Sequence, residues 1–360
     1  MPTVAEIITH LHHHAPPHLR MEGDPHGLLV GDADAEVSRL VVSLDVTPAV
    51  AKHAAETGAQ LIIAHHPLIY QPLKRVVANE PHPGGVVLSC IRAGIAVACA
   101  HTNWDVAERG INDVLAELLG LADTKPVQVT YHDPIVNLVV FASEERRWRV
   151  WDAMVGAGAG HIPGSLYDRC AFWGTGTGTF RPMEGANPQI GAVGVSAFVT
   201  ENRIETVMPS HLVPAVLAAV RAAHGYEEVA HQIVPLTNTG KEYGIGRVGT
   251  LAETITGGEL LARVQTALDF DAVRMVGDSG KPVRTVAVGG GACAFLLSDA
   301  IRHGADALVT SDVRHHEYVD AESRGILLLD AGHAQTETPG TRRLSELLAA
   351  ALPGVAVDFL

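Results

Sequence analysis

Three short segments of this sequence gather residue types that hold divalent metal ions: His65-His66-Pro67, His101-Thr102-Asn103-Trp104-Asp105 and His333-Ala334-Gln335-Thr336-Glu337. Neutral imidazole and carboxylate are common ligands of transition metals. Two adjacent histidines at the end of a strand can point to either side of a loop, so His65 and His66 could each serve a different ion, with Pro67 stiffening the exit. Each segment also has an ordinary structural reading. Strand-end histidines hydrogen-bond to nearby backbone, Asp105 suits the cap of a following helix, and residues 333–337 also read as an exposed turn. If that segment is instead one helical turn, its four-residue spacing turns His333 and Glu337 the same way. What shifts the balance towards metal is that all three segments fall at strand ends of one α/β pattern.

The 20 histidines outnumber Phe, Tyr and Trp together, so position must decide which of them matter. His12-His13-His14 lie consecutively in a predicted helix and point in different directions, which favours a solvated surface over a shared site. A formal net charge of −14 works against binding a phosphate backbone and excludes nucleic acid as the expected partner. Cys90, Cys99, Cys170 and Cys293 are scattered with no C-x-x-C pair, and read as reduced thiols, three of them in apolar stretches. No apolar run reaches the roughly 18 residues a membrane helix needs. Met1–Arg20 carries histidines where a signal peptide would be apolar, so a soluble cytoplasmic protein with no membrane partner is expected.

The elements that would position these residues follow from periodicity. A helix is predicted over Thr3–His14, stopped by Pro16-Pro17. Leu40–Val46, Gln60–Ala64 and Gly94–Ala100 read as strands alternating with helices at Pro48–Thr57 and around Val86–Arg92, and a helix over Gly110–Leu119 comes next. Such alternation predicts a largely parallel sheet with ligand sites at the carboxyl ends of its strands.

From about Gln128 the texture changes. Strands at Ile135–Ala142, Arg203–Met208 and Val229–Leu236, helices at Glu144–Val155 and His211–His224, and glycine-rich turns at Gly156–Gly164 and Gly174–Gly178 suit a ferredoxin-like module. The first texture then returns, with a helix at Gly258–Leu268 and a strand at Val283–Val288. Gly289-Gly290-Gly291 follows, read as a tight turn or an anion-binding loop. A helix at Ala292–His303, strands at Ala307–Thr310 and Ile326–Asp330 and a closing helix at Gly340–Ala350 complete the pattern. The expected organisation is a discontinuous α/β domain of two halves, residues 1–128 and 237–360, interrupted by a ferredoxin-like α+β insertion at 129–236.

Read together, Asp45-Val46-Thr47-Pro48, Gly58-Ala59 with His65-His66-Pro67-Leu68-Ile69, His101-Thr102-Asn103 with Asp105-Val106-Ala107, and Asp330-Ala331-Gly332-His333 with Glu337 carry a resemblance. In this order they resemble the Ngg-one-interacting-factor-three-like family of dinuclear-metal-centre proteins, whose members are often called type-two GTP cyclohydrolase one homologues. The resemblance covers nearly the whole chain. It implies two divalent ions held by His65, His66, Asp105, His333 and Glu337, with Glu337 as the bridge, and a toroidal homohexamer. His101, His315 and His316 become candidates for orienting ligands or touching substrate. Residues 129–236 are similar to the inserted module of long family members, related to the CutA and PII proteins. Gly23-Asp24-Pro25-His26-Gly27 departs from the family pattern and has no assigned role.

Two ions sharing a carboxylate would activate water and clamp the oxygens of a phosphorylated or nucleotide-like small molecule, the expectation for a metal-dependent hydrolase. A metal-handling or metal-delivery protein without turnover, and a regulatory interaction protein, are the competing classes. Mixed imidazole and carboxylate ligands suit Zn, Mn, Fe, Co or Ni.

Overall fold

The computed structural model describes residues 1–78, 83–162 and 165–360. The chain divides into two units, one of Met1–Tyr131 with Tyr243–Leu360 and the other of His132–Glu242.

Helix α1 (Val4–His14) begins at a reciprocal cap, in which the Thr3 N–H donates to Glu6 at 2.7 Å and the Glu6 N–H donates to the Thr3 hydroxyl at 3.3 Å. Its stripe of Val4, Ile7 and Leu11 is buried. There follow β1 (Gly27–Val30), β2 (Arg39–Ser43), α2 (Pro48–Thr57), β3 (Leu61–Ala64), α3 (Gly84–Ala93), β4 (Ala96–Cys99), α4 (Thr102–Val106) and α5 (Ile111–Leu118). Thr47 caps α2 ahead of Pro48, and Gly58 ends it in the left-handed conformation.

The chain continues through β5 (Ala122–Ser143), α6 (Arg147–Gly156), β6 (Phe172–Phe180), β7 (Ala197–Pro209), α7 (Val213–His224) and β8 (His231–Thr256). It then forms α8 (Gly257–Leu268), β9 (Arg274–Val276), β10 (Pro282–Val288), α9 (Leu297–Arg302), β11 (Ala307–Thr310), α10 (His315–Ser323), β12 (Leu327–Asp330), α11 (His333–Ala351) and β13 (Ala356–Phe359).

The first unit contains two mixed sheet arrangements. One has the order β1-β4-β3-β2-β13, parallel except where β1 meets β4. The other runs β8-β10-β11-β12-β9, parallel in the middle and antiparallel at both β8 and β9. The largely parallel expectation therefore fails at three strands: the edge strands β1 and β9, and β8, which meets β10 antiparallel and has β5 as its other neighbour; antiparallel neighbours need no crossover helix to join them. Leu61, Ile62, Ile63 and Ala64 are all buried, as in a strand covered on both faces. Leu40, Leu61 and Ile63 share one apolar cluster with Ala287, Leu308, Leu328, Leu344 and Leu348, so both sheets and α11 belong to one core.

In the second unit the element order is β5-α6-β6-β7-α7-β8 and the strand order β6-β7-β5-β8. Alternate residues of β5, Val136, Leu138, Val140 and Ala142, pack with Val150, Trp151 and Met154 of α6 and Val216, Leu217 and Val220 of α7.

Two local expectations are corrected. Gly174–Gly178 is strand rather than turn, paired with β7 from Phe172↔Glu205 to Phe180↔Ala197. Its glycines alternate with β-branched threonines, a period-two pattern that outweighs the glycines' preference for turns. The other predicted turn, Gly156–Gly164, includes Pro163 and Gly164, which lie outside the described residues. The second correction concerns α11, which starts at His333 and runs through Pro339 instead of starting after it. A proline there removes one helical donor, but α11 is held by close packing: a Cβ on Gly340 would lie 2.6 Å from the Ile111 Cα, and the Trp104 indole N–H donates to the Gly340 carbonyl at 3.0 Å. Among the described residues no helix is long and apolar enough to cross a membrane.

Candidate metal centre

His65 and His66 leave the end of β3 while the parallel ladder still constrains them, with their N–H groups donating to the carbonyls of Ser43 at 3.1 Å and Leu44 at 2.9 Å. His65 is fully buried, and its Nδ1 lies 2.9 Å from the Ala100 carbonyl beyond β4. The Nδ1 of His66 lies 2.9 Å from Asp45 Oδ1, and the Nδ1 of His333 lies 2.6 Å from Asp312 Oδ2. In each ring the partner is an acceptor, which assigns the proton to Nδ1 in the neutral imidazole and leaves the Nε2 lone pair for a ligand.

Those three Nε2 atoms surround Glu337. Its Oε2 lies 3.0 Å from His66 Nε2 and 3.1 Å from His333 Nε2, while its Oε1 lies 3.7 Å from His65 Nε2. His65 Nε2 is also 3.6 Å from Asp105 Oδ1, and the His66 and His333 Nε2 atoms are 3.3 Å apart. Ligands about 2.1 Å from a tetrahedral ion stand roughly 3.4 Å from one another. The observed spacings therefore suit atoms grouped around an ion better than atoms bonded to each other. His65 Nε2 and Asp105 Oδ1 are moreover buried without a hydrogen-bond partner, a costly state that an ion would relieve. Two groups result, His65 with Asp105 and Glu337, and His66 with His333 and Glu337; a third brings His101 to His65 and His66.

The protonation states fit a place made for positive charge. Burial pushes Asp105 up to about 6. Burial also opposes ionisation of Glu337, but the imidazoles of His333, His65 and His66 around it hold it below the usual carboxylate range. Burial disfavours the His66 cation, yet the carboxylates of Asp45 and Glu337 beside its ring raise its pKa to about 10. His333 rises to about 9, chiefly through the Glu337 carboxylate beside it. The Cys293 thiol, in contrast, is pushed well up by burial and then by Asp105 and Glu337, and it donates to the Gly290 carbonyl at 3.1 Å.

Local chemistry explains how Asp105 and Glu337 are held. Asp105 lies within α4 and does not cap α5, whose N-cap is Gly110. Its backbone carbonyl accepts from Asn112 Nδ2 at 2.8 Å, and the other end of the Asn112 amide accepts from the Gly290 N–H at 2.9 Å. The Gly289 N–H donates to the Val309 carbonyl and the Gly291 N–H to the Thr336 hydroxyl. All three N–H groups of the triple glycine are thus occupied, and it acts as a tight turn rather than an anion loop. Gly291 has a φ of +66°, and a Cβ there would lie 2.1 Å from Glu337 Oε1.

The five residues read from the sequence, with His101, are thus brought together. His315 and His316 are exposed at the start of α10 and belong to none of the three groups. Sequence reasoning missed the carboxylates behind the imidazoles: Asp45, Asp312 and Asp24. Asp24, from the segment left without a role, is buried, lies 2.8 Å from His101 Nδ1 and accepts from the Thr102 hydroxyl at 2.6 Å. Asp45 and Asp312 each stand just beyond a strand, which was the available signal.

A Bacillus subtilis protein named GTP cyclohydrolase 1 type 2 homolog is 42% identical over 328 residues, covering 91% of this chain and 87% of that protein. A Mycobacterium tuberculosis protein of the same name is 37% identical over 350 residues, covering 96% and 91%. The crystal structure of a Bacillus cereus protein related to NIF3 superposes with a TM-score of 0.91 at 39% identity, covering 100% of this chain and 96% of that one. Because the family pattern itself also matches residues 2–360, this chain belongs to the Duf34/NIF3 (NGG1p interacting factor 3) family.

Proposed function

We propose that this protein is a dinuclear metal-dependent hydrolase acting on a phosphorylated or nucleotide-like small molecule. The observation that carries the reading is the division of Glu337, with Oε1 towards His65 and Oε2 towards His66 and His333. In this reading His65 and Asp105 would hold one divalent ion and His66 and His333 the other, with Glu337 contributing to both. Bound ions of this kind supply Lewis acidity and bring the pKa of water towards neutrality.

The chain's own residues do the rest. Ala100, Asp45 and Asp312 fix the tautomers that aim Nε2 inward. His101, oriented by Asp24, sits beside His65 and His66 where it can pass a proton to or from a substrate oxygen. The shared name of the relatives motivates including nucleotides such as GTP among substrates.

A second reading, a metal-handling protein without turnover, is favoured by the carboxylates Asp24, Asp45 and Asp312 behind the imidazoles, which attract cations and repel anionic substrates. Elemental analysis of purified protein, alongside a panel of phosphate, nucleotide and cyclic-amide substrates with Glu337→Ala as control, separates them. Metal-dependent turnover lost in the variant supports the hydrolase. Two exchangeable metals with no turnover on any substrate support the carrier.

The β-α-β-β-α-β order of His132–Glu242 and its strand order β6-β7-β5-β8 support a ferredoxin-like insertion of the CutA and PII type. A cytoplasmic toroidal homohexamer completes the proposal, and a sedimentation mass near that of one 38.0 kDa chain would overturn that assembly.

A further inference from the structure

The second unit contains a cavity of about 570 Å³ whose walls include Phe141, Phe180, Ile190, Tyr226 and Val229, with Glu201 among them. Small-molecule sites commonly enclose about 300–1,000 Å³ behind mainly apolar walls with a few polar groups.

The carboxylate has a built place. Glu201 lies on β7 opposite Gly176 of β6, and a Cβ on the next inward glycine, Gly178, would stand 2.3 Å from Glu201 Oε2. The Gly-Thr alternation of β6 therefore opens room for this side chain. No hydrogen bond or ion pair reaches it among the described residues, and burial raises its pKa, an effect that the nearby His224 only partly offsets. The neighbouring His224 imidazole is committed through Nε2 to the Phe141 carbonyl at 2.7 Å. Around the cavity Glu201, Glu227 and Glu228 stand against Arg181 and against Arg146, whose guanidinium lies over the Tyr226 ring and donates to Gln189 at 3.0 Å, so acids outnumber bases and the charge balance favours a cation over an anion. Aromatic faces such as those of Phe141 and Phe180 also attract cations.

We propose that this cavity is a binding site for a small molecule with an apolar, ring-bearing body and a protonated amine, the amine pairing with Glu201. The site stands apart from the metal reading and does not depend on it.

The test uses the full chain and two probes of similar shape and opposite charge, phenethylamine and 3-phenylpropionate, followed by saturation-transfer NMR and calorimetry. The amine is expected to bind at least ten-fold more tightly than the acid. Glu201→Gln, nearly isosteric, should weaken the amine at least ten-fold with unchanged metal content and melting temperature. Should that variant fail to fold, Ile190→Trp fills the cavity from an exposed wall position and should abolish amine binding. Equal or tighter binding of the acid, no saturable binding of the amine at millimolar concentration, or amine binding indifferent to both substitutions would overturn the proposal.

Discussion

His333 Nε2 and Glu337 Oε2, one turn apart on α11, lie 3.1 Å from each other, and the second oxygen of the same carboxylate faces His65 Nε2 at 3.7 Å. One side chain therefore serves two groups of ligands, while each imidazole serves mainly one. Under the proposed two-ion arrangement, His333→Ala should lower the metal content from two ions per chain to one, and Asp105→Ala should remove the other ion. Glu337→Ala should remove at least one and weaken both. Elemental analysis reads these stoichiometries, and two ions retained in Glu337→Ala would remove the ligand assignment.

Asp45→Asn and Asp312→Asn test the support behind His66 and His333. Loss of such a partner typically costs about 10–100-fold in metal affinity. Both substitutions act on the same group of ligands, so competition titration should show one ion weakened by that factor and the ion of His65 and Asp105 nearly unaffected.

The metal-free protein should also respond to pH in a defined direction. His66 and His333 have pKa values of about 10 and about 9, above the ordinary 6.5. Their stabilisation is fully present below pH 6.5 and is lost as pH rises through 9 to 10. The thermal midpoint of metal-stripped protein should fall over that interval, whereas the metal-loaded protein, whose imidazoles are already neutral, should lack that decline. At pH 7.5 metal uptake should also release protons, measurable by calorimetry in buffers of different ionisation enthalpy.

Gly291 and Gly94 make a matched pair. Both have positive φ, +66° and +68°, but a Cβ on Gly94 meets open space while one on Gly291 meets Glu337. Alanine at either should cost about 1–2 kcal/mol of backbone strain. Only Gly291→Ala should also lower metal content; equal metal content in the two variants would show that Glu337 can move aside.

Much of this arrangement is legible in the residues themselves. The alternation of apolar runs with capped helices locates β3, α2 and α8 to within a residue or two, and chemical type singles out the residues that converge on Glu337. What local pattern does not carry is partner choice. Asp45, Asp312 and Asp24 each look like ordinary strand-end or loop acids until folding sets them behind an imidazole. The start of α11 is hidden because Pro339 signals a break, while the contact of Gly340 with Ile111, more than 200 residues earlier in sequence, decides otherwise. Likewise β1, β9 and β13 are short edges of three or four residues whose pairing depends on neighbours distant in the chain.

The pairing of β13 with β2 and the placement of His333 and Glu337 on α11 have a consequence for biosynthesis. His65, His66 and Asp105 emerge from the ribosome more than 220 residues ahead of His333 and Glu337. Until α11 follows, the early histidines lack the carboxylate they share, and an ion captured then would have an incomplete set of ligands. Filling both proposed groups would await the translation of α11, so depleting metal during expression and restoring it afterwards should still yield loaded protein.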